Sequence, residues 1–218
     1  MSTEIASEPC TALLAWLGYQ NLWVAESSIV RSGSQTELAD RLTVARLSAD
    51  ALDRCLQACD AIPGGQSAAA EKMAPIVSPV DEFWAVTKPR VQVEQRLRLM
   101  VLASVELELV QRLEDRLPEP AKSVLTSEAG LWRTIDDGGS QVADAINGHT
   151  RSADELSLYG RRLLGEVVVM AQRLLVRQPD LRIVLAGESD DELSISTAVL
   201  DEVLQSTAAR LTQLGLSV

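Results

Sequence analysis

Apolar residues recur every three or four positions over most of this chain, and no useful length of strand-like alternation occurs. That pattern predicts helices. The clearest case is residues 152–178, SADELSLYGRRLLGEVVVMAQRLLVRQ, where Leu156, Tyr159, Leu163, Val167, Met170 and Leu174 share one face. Ser152 and Glu155 form a capping box at its start, and Pro179 blocks its continuation. The stretch reads as a long core helix around which the rest of the chain is organised.

The remaining pattern predicts a first helix over 8–31, with an apolar stripe of Leu13, Leu14, Leu17, Val24 and Ile29 and with Trp16 and Trp23 on a shared face. Gly33 breaks it. A second capping box, Ser34 to Glu37, starts a helix that reaches Asp60 and places Leu38, Leu42, Ala45, Leu52, Cys55 and Cys59 on its inner side. Ile62-Pro63-Gly64-Gly65 ends it, residues 66–77 read as a connecting loop, and Ser78-Pro79 restarts a short helix that stops before Pro89. A third long helix, 90–117, is apolar nearly all round in its middle and is interrupted by Glu106. Such a helix is buried. A fourth runs from the Pro118-Glu119-Pro120 turn to about Asp136, carrying Val124, Leu125, Leu131, Trp132 and Ile135, and Gly138-Gly139 ends it. A short helix over 141–147 follows. After Pro179 come a brief segment, LRIVLA, a capping box from Ser189 to Glu192, and a last helix closed by Gly215. The expectation is one all-α domain over 1–218, with about the first eight residues flexible: an antiparallel four-helix bundle with additional C-terminal helices packed on it.

Composition narrows the function classes. Aromatics make up 3% of the 218 residues, so the core is mainly Leu, Val and Ala. A net charge of −11 argues against a chain-wide grip on nucleic acid or an anionic membrane. Arg161, Arg162, Arg173, Arg177 and Arg182 cluster in sequence and read as a solvated helix face with carboxylate partners. Cys10, Cys55 and Cys59 are too few and too unevenly spaced for a disulfide framework, and Cys55 and Cys59 read as small core side chains. No apolar run has the length of a membrane span, and the N-terminus lacks the pattern of a signal peptide. A cytoplasmic location is expected. Gly160 and Gly165 lie inside the 152–178 helix, where close helix packing is expected of them.

Two strings, KMAPIVSPVDEFWAVTKP (72–89) and LYGRRLLGEVVVMAQRL (158–174), resemble an actinobacterial ferritin-like family described as tRNA hydroxylase-like. The helix order is similar from about residue 11 to 181. The resemblance implies a ferritin-like bundle. In active members of that superfamily such bundles hold two iron or manganese ions between carboxylates and Glu-x-x-His pairs. An enzyme of that kind would be a di-iron-type oxidoreductase, a hydroxylase acting on modified tRNA. This chain departs from the pattern. It has a single histidine, His149, in a surface loop and with Ile146 three residues before it. Carried over by position, the family's ligands fall at Asn21, Ala51 and Arg54, at Ser104 or Glu106, and at Ser127 and Gly130. Glu26, Asp50, Asp53, Glu106 and Glu128 form an all-carboxylate alternative.

Glu106 and Glu166 lie among apolar neighbours, so each needs a cationic partner or a raised pKa. Each pairs with an arginine of a neighbouring helix, or Glu106, Glu166 and Arg54 form a buried polar pocket. Arg54 is the expected partner of Glu106, a cation at a vacated metal position. The leading reading is a metal-free binding or interaction module without a cofactor, working as a homodimer or with a protein partner and not at a membrane. The alternatives are the two-metal hydroxylase, for which alone a tRNA partner is expected, and a structural homodimeric scaffold.

Overall fold

The computed structural model describes residue 5, residues 7–32 and residues 37–218, with no strand among them. The expectation of a flexible N-terminus, the break at Gly33 and the Ser34–Glu37 capping box fall mainly or wholly outside the described residues. Helix α1 spans Ser7–Ser32, α2 Leu38–Ala61, α3 Gly65–Val86 and α4 Gln92–Leu113, followed by a 3-10 turn at Glu114–Arg116. Helix α5 is Ala121–Leu125, α6 Ala129–Asn147, α7 Ala153–Arg177, α8 Pro179–Ala186 and α9 Glu192–Gln213. Two antiparallel pairs, α1 with α2 and α4 with α6, share the most extensive packing. Helix α3 packs on α1 and α7, α8 on α1 and α9, and α9 on α4 and α7.

The centre of the molecule is α4 rather than α7. Every residue from 95 to 107 is buried, including Gln95, Arg96, Arg98 and Glu106. Helix α7 buries one stripe, the six residues named from its periodicity, and leaves its other face to solvent. Its capping box is formed: the Glu155 amide donates to Ser152 Oγ at 3.1 Å and the Ser152 amide to Glu155 Oε2 at 3.2 Å.

Several expectations are corrected. Residues 66–77 are not a loop, and no helix restarts at Ser78: α3 is continuous through Pro75 and Pro79. Ala69, Met73, Ile76, Val80, Phe83 and Trp84 recur at helical spacing and are all buried. That continuous face outweighs the ladder hydrogen bonds lost at the prolines. Gly138 and Gly139 lie inside α6 rather than ending it. A Cβ at Gly138 would sit 2.7 Å from Met100 Cβ and 3.0 Å from the Arg96 carbonyl, so its glycine sets how closely α6 approaches α4. The predicted fourth helix is instead split, with Thr126 to Glu128 separating α5 from α6. Trp132 is exposed: its Nε1 donates to Glu128 Oε2 at 3.0 Å. Ser189 does not cap α9, and its hydroxyl accepts from the Asp191 amide at 3.3 Å. Gly160 is a close-packing position, 2.9 Å from Val218 Cγ1 were a Cβ present, but Gly165 faces open space. The inner side of α2 carries Val44, Leu47, Ser48, Ala51, Arg54, Cys55 and Ala58, while Leu38, Leu42, Ala45 and Leu52 point outward.

Candidate functional site

Asn21 on α1, Arg54 on α2 and Glu106 on α4 meet between the two helix pairs. Glu106 is 2% exposed and Arg54 8%. The Arg54 guanidinium ion-pairs with Glu106 Oε1 through Nη2, and its Nη1 donates to the Ser127 carbonyl. Asn21 Nδ2 lies 3.2 and 3.0 Å from Glu106 Oε1 and Oε2 and also reaches the Leu17 carbonyl at 2.9 Å. Each partner has a local reason to be there. The break between α5 and α6 leaves the Ser127 carbonyl in reach of Arg54. The inward turn of Arg54 follows from its place on the buried stripe of α2, three residues after Ala51. A carboxylate buried this deeply is held by a charge of opposite sign and by amide donors, as burial requires.

The cluster borders a cavity of about 20 Å³ lined by Gln20, Asn21, Asp50, Ala51, Arg54, Glu106, Gly130 and Thr134 among others. That is room for about one water molecule and none for a substrate. Two lining atoms, Gln20 Oε1 and Arg54 Nε, are buried without a protein hydrogen-bond partner. Of the positions named from the sequence, Asn21, Ala51, Arg54, Glu106 and Gly130 line this cavity, and Ser127 reaches the cluster through its carbonyl. Ser104 is buried, its hydroxyl makes no protein hydrogen bond, and it is not among the lining residues. Glu166 is elsewhere. It is half-buried in a separate groove between α3 and α7 with Glu82, Met170 and Arg173, so Glu106, Arg54 and Glu166 form no common pocket. The reason is rotational: Glu166 flanks the buried stripe of α7 instead of lying within it.

The all-carboxylate alternative is also dispersed. Asp50 ion-pairs with Arg133, Glu128 accepts from Gln111 and Trp132, and Glu26 and Asp53 are exposed. Among the described residues no three His, Cys, Asp or Glu side chains come together as a metal ion would need. His149 is exposed in the turn between α6 and α7, with φ 55°. The donor set at the bundle centre does not fit a pair of metal ions. It offers Glu106 and, on the cavity wall, Asp50, each already ion-paired with an arginine, and the guanidinium seated on Glu106 is a permanent cation that cannot ligate.

The family model that matches residues 7–188 is described as a ferritin-like domain of actinomycetes. The chain belongs to that family. The fold is accordingly an all-α ferritin-like bundle. A comparison with curated proteins finds no match. Among the described residues no helix is long and apolar enough to cross a membrane.

Other polar groups in this ferritin-like bundle were not foreseen from sequence. Arg96 forms a buried ion pair with Asp137 of α6 at 3.0 Å. Burial pushes the Asp137 carboxyl above its ordinary pKa, and the Arg96 charge opposes that rise. Tyr19 and Trp23 of α1 both donate to Asp81 of α3 at 2.7 Å. Burial, with the Asp81 hydrogen bond second, pushes the Tyr19 phenol up to about 12. The sequence carries little signal for either group: Arg96 follows Gln95, Asp137 lies between Asp136 and Gly138, and Asp81 precedes Glu82. Cys10 and Cys55 are buried free thiols raised by desolvation to about 11 and about 12, and Cys59 is half-buried beside Cys55. In the basic run, Arg173 pairs with Glu82, Arg182 lies 3.7 Å from Glu192, and Arg162 donates to the Val86 carbonyl.

Proposed function

We propose that this chain is a metal-free, non-catalytic member of its ferritin-like family that works as a binding or interaction module in the cytoplasm. The observation that carries the reading is the ion pair between Arg54 and Glu106, held by Asn21, at the centre of the bundle. A di-metal centre concentrates positive charge and needs several anionic ligands. Here one carboxylate is already neutralised by a guanidinium, and the remaining space is about that of one water. The strings at 72–89 and 158–174 resemble tRNA hydroxylase-like proteins, and by position Asn21, Ala51, Arg54, Glu106, Ser127 and Gly130 would correspond to the metal ligands of such proteins. On this reading the cluster is a structural replacement for a metal centre. The protein then acts through its surface, on protein partners rather than nucleic acid, as its charge of −11 favours.

The test is elemental analysis of the full chain purified without chelators, before and after anaerobic incubation with Fe(II) or Mn(II) and desalting. Well under one equivalent of metal per chain is expected. Roughly two tightly held equivalents would overturn the reading.

A further inference from the structure

The outer face of α2 carries an unusual series. Leu38, Leu42, Ala45, Ala49, Leu52 and Leu56 follow one another at intervals of four and three residues, and all six are exposed. The leucines are 68, 62, 40 and 53% exposed in chain order. Such spacing is the seam of a coiled coil. The series is also a palindrome about residue 47, in identity and in spacing: Leu38 mirrors Leu56, Leu42 mirrors Leu52, and Ala45 mirrors Ala49.

We propose that a second copy of this chain docks on this face, its α2 antiparallel to the first, about a two-fold axis at the midpoint of Ala45 and Ala49. A two-fold interface is one patch meeting itself in reverse, so it must be self-complementary on reversal. A palindromic seam has that property, and there is no such requirement for an unrelated partner. In this register Leu38 meets the partner copy's Leu56, and Leu42 meets its Leu52. The two alanines lie at the crossing point, where small side chains let helix axes approach to about 8 Å.

Charge selects the same direction. Exposed Arg41 and Arg46 lie in the N-terminal half of α2, and exposed Asp53 and Asp60 in its C-terminal half. Antiparallel pairing sets the basic half of each copy against the acidic half of the other, while parallel pairing sets like against like. The seam is about 27 Å long at 1.5 Å per residue. A strip of that length and about 10 Å in width is smaller than the roughly 800 Å² per partner of a standard interface, so the dimer is a reversible one with a dissociation constant of about micromolar order. The seam is on the opposite side of α2 from Arg54, so this dimer is separate from the metal-free reading and fails or survives without it.

Sedimentation equilibrium of the full chain from about 1 to about 200 µM, spanning that range, tests the idea. A reversible monomer–dimer equilibrium is expected. Leu42→Glu, an exposed position, should retain the wild-type far-UV spectrum and weaken association about 100-fold or more, because the two-fold applies each change twice. Register is read by oxidative cross-linking in a Cys59→Ser background. Leu42→Cys combined with Leu52→Cys should give a covalent dimer, and Leu42→Cys alone should not. A monomer throughout the range overturns the proposal, whatever else occupies the face. So does an equilibrium indifferent to a folded Leu42→Glu variant, or self-linking of the single Leu42→Cys variant.

Discussion

Removing the Arg54 charge while keeping its bulk, in Arg54→Met, strands Glu106 in the bundle centre. The Arg54 and Glu106 side chains are 9% and 3% exposed, so solvent screens little of the loss. Glu106 keeps the Asn21 amide, 3.0 Å from Oε2, but loses its ion pair with Arg54, and the Ser127 carbonyl loses its donor. Breaking a buried pair in this way costs about 3–5 kcal/mol. Urea unfolding followed by circular dichroism should show that loss, and the melting temperature should fall by roughly 10 °C. Arg54→Met with Glu106→Leu removes both charges and should recover most of the stability. A loss below about 1 kcal/mol for Arg54→Met would refute the account, since it is the size of an exposed pair. A double variant no more stable than Arg54→Met would assign the cost to packing instead of to buried charge.

Three further changes test the surroundings of α4. Burial pushes the Glu108 carboxyl up, but hydrogen bonds from Arg112 at 2.7 Å and Arg210 at 2.9 Å outweigh it and hold the pKa below 4.5. A depressed carboxyl contributes stability that is present above its unfolded pKa and lost as the pH falls through its folded one. Glu108→Gln should therefore cost about 1–2 kcal/mol at neutral pH and little once the wild-type carboxyl is protonated, as read by urea unfolding at both pH values. Gly138→Ala forces a Cβ to within 2.7 Å of Met100 Cβ and should cost about 1–3 kcal/mol. Gly139→Ala, whose nearest neighbour would be Leu214 Cδ2 at 3.6 Å, should be neutral or stabilising by up to about 1 kcal/mol in the same thermal melt.

The all-α class, the Ser152 capping box and the buried stripe of α7 were legible because local signals and tertiary packing agree there. Residues 66–77 and Gly138-Gly139 were misread because packing overrides a local breaker. Pro75 and Pro79 sit in a helix whose buried face is continuous, and Gly138 fits against Met100. That Glu106 needs a cation was legible from burial cost, since it lies amid LMVLASVELELV, but the choice of Arg54 rested on the ligand position that the family resemblance implies. The place of Glu166 was not: its neighbours Val167, Val168 and Val169 are apolar, but of these only Val167 is buried. Three adjacent valines span most of a helical turn, so sequence neighbours carry no direction.

The misreading of α2 has a more specific cause. That helix has two apolar stripes, one through Leu47, Ala51 and Cys55 and the other through Leu42, Ala45, Ala49 and Leu52. On periodicity the leucine-rich stripe is the better core face, because the true one is interrupted by Ser48 and Arg54. A polar residue on a core face is selected against unless its partner is supplied by another helix. Ser48 donates to the Ala25 carbonyl of α1 at 2.9 Å, and Arg54 to Glu106 of α4, so both partners are invisible within α2. The inner face of α2, apolar at Val44, Leu47, Ala51, Cys55 and Ala58 and polar at Ser48 and Arg54, already accounts for its packing in the bundle. Monomer stability leaves that seam unexplained, and its palindromic order suits antiparallel pairing of two identical helices.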